Sequence, residues 1–354
     1  GFFTGIGIST RISLMLILFL FPLIIFFEDC INSNKLVFKK KSLKIILIYI
    51  TTVFISIYIF MPGIWNSPLQ AFNYVFFKII DFRDWDGFVL FNGQQIRGWD
   101  VPWNYTITWI FITTPITFLI FLIIGITKTI HGILNKFRME SVFECFMLSS
   151  VLIAILAPII LGSTLYDSWR HSFYVFPFLA YFMAVGFHYV LISITSSINN
   201  KMLVYFFMIV ITFFEPLRKT ILLHPHQQIY FNIFAGNDPM ERFEGDYWCA
   251  SVRQGLEWII RNDNSEVINI VSSENCPAYK NAYMIDKSDR NRLNFITRRL
   301  DEKISEHRGD YYITNFRGEI DDYIKIKNLK FYPYGNEVFS IRKNNMKILG
   351  IYKL

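Results

Sequence analysis

Long apolar runs constrain this chain more than any other feature. A helix crossing the hydrocarbon of a bilayer needs about 20 apolar residues, with every backbone N–H bonded inside the segment. Such runs stand at 11–27, 43–62, 105–127, 142–162 and 172–192, and a shorter one at 202–214. The 105–127 run carries no charge at all. The 202–214 run has the length of an interfacial or buried segment, and it crosses only if 215–223 continues its helix. Of 354 residues, 53% are hydrophobic and 18% charged, with 37 Phe, which is too little polar surface for a soluble protein. Beyond about residue 215 apolar residues alternate with charges, as in a water-exposed domain. The expected architecture is a multi-pass α-helical integral membrane bundle, with about six helices over 1–223 and an outer-face loop at 63–104. A small extracytoplasmic α/β domain follows at 224–354.

Lysines and arginines beside the runs set orientation. Lys35, Lys39, Lys40, Lys41 and Lys44 follow the first run, and Lys128, Lys136 and Arg138 follow the third, so both turns are expected on the cytoplasmic side. The 63–104 loop balances Lys78, Arg83 and Arg97 against Asp81, Asp84, Asp86 and Asp100 and falls outside. Alternation puts 163–171 outside too, and the C-terminal domain with it if 202–214 crosses. At that last hairpin Lys201 on the inner side faces Arg218 and Lys219 on the outer side, against the trend; the stronger upstream bias decides. The expected location is a plasma or inner cell membrane. Loop residues account for much of the net charge of +7, so no nucleic-acid partner is expected. The chain opens at Gly1 inside an apolar run with no cationic start or cleavage site, which reads as a fragment lacking its N-terminal part.

In the polar domain, 253–262 reads as a helix and 267–272 as a β-branched strand. Leu293, Ile296, Leu300 and Ile304 recur at helical spacing, and 311–314 makes a short strand. Two further strands, 337–342 and 346–352, flank Lys343-Asn344-Asn345 as a hairpin. Cys30, Cys145, Cys249 and Cys276 match no metal spacing. Cys249 and Cys276 pair if their domain faces an oxidising compartment; two free thiols are the preferred reading.

Polar and aromatic residues gather in the expected outer loops. Met61-Pro62-Gly63-Ile64-Trp65-Asn66-Ser67-Pro68, Phe91-Asn92-Gly93 and Pro102-Trp103-Asn104-Tyr105 form one group. Trp65, Trp99 and Trp103 taken singly read as an interfacial belt, and 71–80 as a surface helix. In Tyr166-Asp167-Ser168-Trp169-Arg170-His171, a guanidinium beside an imidazole suits a phosphate, while an Arg170–Asp167 pair that only pins the loop is the alternative. His224-Pro225-His226-Gln227-Gln228-Ile229-Tyr230-Phe231-Asn232 leads to Phe243-Glu244-Gly245-Asp246-Tyr247-Trp248. Its two histidines lack a partner carboxylate at a recognised ligand spacing, so no metal site is assigned. His188 reads as making an interhelical hydrogen bond, and Arg11 as snorkelling or facing a lipid phosphate.

In order and spacing these clusters resemble the C-type (GT-C) membrane glycosyltransferases that use polyprenyl-phosphate sugars. The protein O-mannosyltransferases and lipid A aminoarabinose transferases, a group like glycosyltransferase family 39, are examples. The resemblance covers essentially the whole chain. It begins at Gly5-Ile6-Gly7-Ile8-Ser9-Thr10-Arg11, similar to the family's small-residue stretch ending in Thr-Arg or Thr-Lys. It runs through the Trp/Pro loop, Ile112-Thr113-Thr114-Pro115, Tyr166–His171 and the two histidine- and aspartate-bearing stretches, and ends over 311–317 and 337–353. Departures are Ser168 where relatives have Gly, Asn104 where they have an aromatic, and Cys249 where they have Gly. The family's catalytic Asp belongs in a first outer loop upstream of residue 1, so this fragment alone is expected to be inactive.

The resemblance implies inverting transfer of a sugar from a polyprenyl-phosphate donor to a lipid, glycan or protein acceptor at the outer membrane face. Arg170, His171 and Arg11 would bind the donor phosphate. Asp167, Trp103, Tyr105, His224, Tyr230, Asn232 and Asp246 would line the site. No cofactor is assigned, and a divalent cation is left open. A transporter or lipid flippase is the rival reading, but it calls for ionisable residues at the midplane, where this chain has almost none. A non-catalytic membrane-anchored sensor is the other; it leaves the clustered outer loops unexplained.

Overall fold

The computed structural model describes residues 1–10, 14–33, 37–70, 73, 85–137, 139–196, 200–299, 308–319 and 335–354. The chain divides into two compact units: Gly1–Asp86 with Gly98–Glu215, and Gly87–Arg97 with Pro216–Leu354.

The first unit is helical: α1 (Phe2–Thr10), α2 (Met15–Ser33), α3 (Lys40–Phe60), α4 (Tyr105–Thr113), α5 (Ile116–Asn135), α6 (Met139–Ile160), α7 (Phe176–Thr195) and the first part of α8 (Lys201–Leu223). Among the described residues, four stretches are long and apolar enough to cross a membrane: Lys40–Phe60, Ile116–Asn135, Glu140–Ile160 and Arg170–Thr195. Their outward faces carry large apolar side chains such as Leu47, Ile123, Leu152 and Ile192, as expected of surfaces that meet lipid rather than water. Pairing inside the unit depends on close approach. α5 and α7 cross at Gly125 and Gly186, where a Cβ on either glycine would run into the other helix's backbone, at Phe182 and Phe121 respectively. Ile8, Tyr49 and Val53 bury the contact of α1 with α3. The α2–α3 turn is tied by Asp29, whose carboxylate accepts from Lys39 N at 2.9 Å.

Two expectations change here. The charge-free 105–127 run is not one helix: it breaks at Thr114-Pro115, where Pro115 has no N–H to donate and clashes with a continuing turn. His188 is exposed, and the expected interhelical hydrogen bond is not found among the described residues. The short 202–214 run does continue into 215–223 as a single helix containing Pro216.

The second unit is α/β. Strands β3 (Ile268–Ser273), β4 (Leu293–Arg298), β5 (Tyr311–Thr314), β6 (Asn336–Lys343) and β7 (Met346–Lys353) form one sheet in the order β4-β3-β5-β7-β6. β3 runs parallel to β4 and β5, while β7 is antiparallel to β5 and β6. Helix α9 (Val252–Asn262) presents Val252, Leu256 and Ile259 on one stripe and buries them against Ile268, Ile270, Ile313, Leu349 and Ile351. A separate hairpin, β1 (Phe88–Phe91) and β2 (Gln94–Arg97), turns at Asn92-Gly93 with φ of 54° and 81°. Phe91 bridges Phe243, and Arg242 donates to Asn92 Oδ1 at 2.5 Å, so a hairpin from the early loop belongs to this unit. Lys343, at the β6–β7 turn, donates to the carbonyls of Leu222 and His224 and so satisfies the C-terminal end of α8.

Two further corrections fall in this unit. Leu293 and Ile296, expected in a helix, lie in β4, because parallel pairing with β3 outweighs a spacing that two residues barely define; Leu300 and Ile304 lie outside the described residues. Cys249 and Cys276, read as free thiols, form a disulfide with Cα atoms 5.9 Å apart. Most of 71–80 lies outside the described residues.

Candidate functional site

In the first unit, the tight connection between α6 and α7 builds a charged corner. Asp167 and Ser168 both take left-handed backbone, φ 54° and 64°, which reverses the chain within two residues. Ser168 holds that conformation with its hydroxyl accepting from Trp169 N at 2.5 Å. The turn aims Asp167 back at Arg170, whose Nη1 donates to Oδ2 at 2.8 Å; the aspartate is buried and the arginine about one-third exposed. Arg170 also lies over the Tyr166 ring at 4.9 Å. Tyr166 is stacked on Trp85 at 4.2 Å and meets the His171 ring edge-on at 4.5 Å. From the other side, Trp169 Nε1 donates to Thr113 Oγ1 at 3.0 Å, fixing the corner to the last turn of α4. The result is a guanidinium and an imidazole held by aromatic faces at the start of the 26-residue apolar stretch Arg170–Thr195.

Tyr105 and Trp103 belong to the same unit but differ in setting. Tyr105 is buried and packs edge-on against Trp109 at 6.3 Å, whereas Trp103 is 68% exposed just before α4, as an interfacial anchor would be. Arg11 lies outside the described residues.

In the second unit the expected site residues are largely committed to holding the backbone. Asp246 accepts from Ala250 N and Ser251 N, both at 2.9 Å, from Ser251 Oγ at 2.5 Å and from Gln228 Nε2 at 3.1 Å, so its carboxylate anchors the approach to α9. Asn232 accepts from Phe234 N at 2.9 Å and caps a short turn. His224 pairs with Gln227 at 3.0 Å on the surface, and the buried His226 with Gln254 at 2.9 Å. Tyr230 lies half-buried between them and Asn232.

Asp246 does line a cleft, together with Phe88, Gln95, Glu244, Tyr247, Asn315 and Arg317. His224, Tyr230 and Asn232 lie outside it. One wall is the turn after β5, where Phe316 sits at φ 64° and Gly318 at 77°. A bulky residue in that region costs about 1–3 kcal/mol and persists only when its surroundings over-determine it. Here they do. Phe316 N donates to Thr314 Oγ1 at 2.9 Å, Arg317 Nη1 to the Tyr247 carbonyl at 2.5 Å, and Asn315 Nδ2 to the Asp246 carbonyl at 2.6 Å. Behind the turn, Glu319 is buried against Arg298, the Tyr312 hydroxyl and Thr314 Oγ1. Burial, with Glu319 beside it, holds the Tyr312 phenol well above its ordinary pKa.

Comparison with protein-family models, with curated proteins and with solved structures finds no match to this chain. The sequence pointed to the Tyr166–His171 corner directly. It gave no sign of Trp85, which lies far back in the chain and joins the corner only through stacking. Glu244 and Arg317 were also missed as lining residues, because their 3.8 Å approach depends on the sheet. Among the described residues, no three His, Cys, Asp or Glu side chains gather closely enough to hold a metal ion.

Proposed function

We propose that the protein is a membrane glycosyltransferase that moves a sugar from a polyprenyl-phosphate donor to an acceptor at the outer face of a plasma or inner cell membrane. The observation that carries this reading is Arg170, held by buried Asp167 where a long apolar stretch begins. A lipid-linked phosphosugar leaves its tail among the helices and its phosphate at the headgroup level, the depth this reading gives the corner. Breaking the anomeric C–O bond puts negative charge on the departing phosphate. A fixed guanidinium with an adjacent imidazole stabilises that charge more as it develops than before, which lowers the barrier. Asp167 then acts as a positioning residue: it sets the guanidinium's direction without touching the donor. The Cys249–Cys276 disulfide supports an oxidising, extracytoplasmic setting for the second unit. A membrane with six crossings belongs to the same reading, with α2 and α8 added to the four most apolar stretches.

The test is label transfer from a polyprenyl-phosphate sugar by the full-length protein in membranes. Arg170→Ala is expected to lower turnover by about a hundredfold or more, the scale of losing one charged donor to a developing oxyanion. Arg170→Lys should recover only part of it, because the ammonium keeps the charge but not the two-pronged geometry. Unchanged transfer in Arg170→Ala would remove the corner from the mechanism. Substrate flux into vesicles without label transfer would favour a transporter.

A further inference from the structure

The second unit holds a cleft whose chemistry is separate from the charged corner. β3, β4 and β5 run parallel, and open sheets take ligands beyond the carboxyl ends of such strands. The chain leaving β5 at Thr314 enters the strained turn at Phe316, which forms a cleft wall at that end. The 244–247 segment and the β1–β2 hairpin line the same cleft. Stretches far apart in the sequence, each rich in planar side chains, thus meet at one place.

We propose that this cleft binds a neutral saccharide. Its charges cancel: Glu244 faces Arg317 at 3.8 Å, and the Asp246 carboxylate is taken up by Gln228, Ala250 and Ser251. A phosphate would meet Glu244 and a cation would meet Arg317, so neither fits as well as an uncharged ligand. The polar groups left to a ligand, on Gln95, Glu244 and Arg317, are a flat amide, a carboxylate and a guanidinium. Their paired donors and acceptors match adjacent sugar hydroxyls. Phe88, 51% exposed, and Tyr247 supply aromatic faces for the C–H side of a sugar ring. Hydrogen bonds already fix Asn315 and Arg317 to the neighbouring backbone, so binding orders little that is not ordered beforehand. The inference goes beyond the transfer reading and does not depend on it.

The test is binding, not turnover. The full chain in lipid nanodiscs is titrated with neutral tetrasaccharides of glucose, mannose and N-acetylglucosamine, and contact is read by saturation-transfer NMR. At least one is expected to bind, and Phe88→Ala and Gln95→Ala, both on exposed residues whose loss spares the core, should each weaken it about tenfold. Lys280→Ala, outside the cleft, should leave it unchanged. The proposal is overturned if none of the three sugars binds, if binding survives both hairpin substitutions, or if inorganic phosphate displaces the sugar.

Discussion

Two aspartates show how one residue type does different work. Asp167 orients a cation, while Asp246 holds four donors and anchors the approach to a helix. Asp246→Ala should therefore destabilise the second unit by about 2–4 kcal/mol, as expected for stranding buried donors and losing a charged cap, measured by urea unfolding followed by circular dichroism. Asp167→Asn keeps the shape of the corner but removes its charge. If Asp167 positions Arg170, sugar transfer should fall while the Tm stays within a few degrees of the parent. Ser168→Gly, which relieves a left-handed serine, should be neutral or slightly stabilising, and Ser168→Val should fail to make the turn; thermal melts separate the two outcomes.

Among elements, the α5–α7 crossing leaves no room for added volume. Gly186→Leu would push the helices apart at Phe121 and Gly125, and a loss of about 1–3 kcal/mol is expected in thermal unfolding in detergent. Helix existence was legible from run length, because bilayer thickness sets a demand that composition either meets or does not. The break at Pro115 was also written in the sequence, but an uninterrupted apolar run masked it. β4 was not legible: Leu293 and Ile296 fit a helical spacing as well as a strand, and only pairing with β3 decides between them. The disulfide was hidden for a related reason, since 27 residues separate its cysteines and only the folded sheet brings them together. Replacing both with serine should cost about 2–4 kcal/mol in denaturant unfolding, the range expected for cross-linking a loop of this size.

For the molecule as a whole, alkaline pH is the condition that should dismantle the second unit. Burial, with Asp263 nearby, pushes the Tyr311 hydroxyl up to about 12, and burial raises Tyr312 and Tyr352 as well. Between the ordinary tyrosine value of about 10 and these higher ones, the unfolded chain sheds protons that the folded chain keeps. Stability contributed by these phenols is therefore intact below pH of about 10 and is lost as pH rises toward 12. Tyrosinate absorbance should show a late-ionising group that titrates together with loss of sheet signal. The β1–β2 hairpin carries a consequence of another kind, a rule of parity. On the proposed membrane reading, because Phe91 and Arg97 fold as one body with Phe243 and Gly318, both ends of the intervening chain emerge on the same side. Three of the most apolar stretches, Ile116–Asn135, Glu140–Ile160 and Arg170–Thr195, fall in that interval. With those three crossing, the return trip needs a fourth passage, and α8, whose own charges argue least for immersion, has to make it.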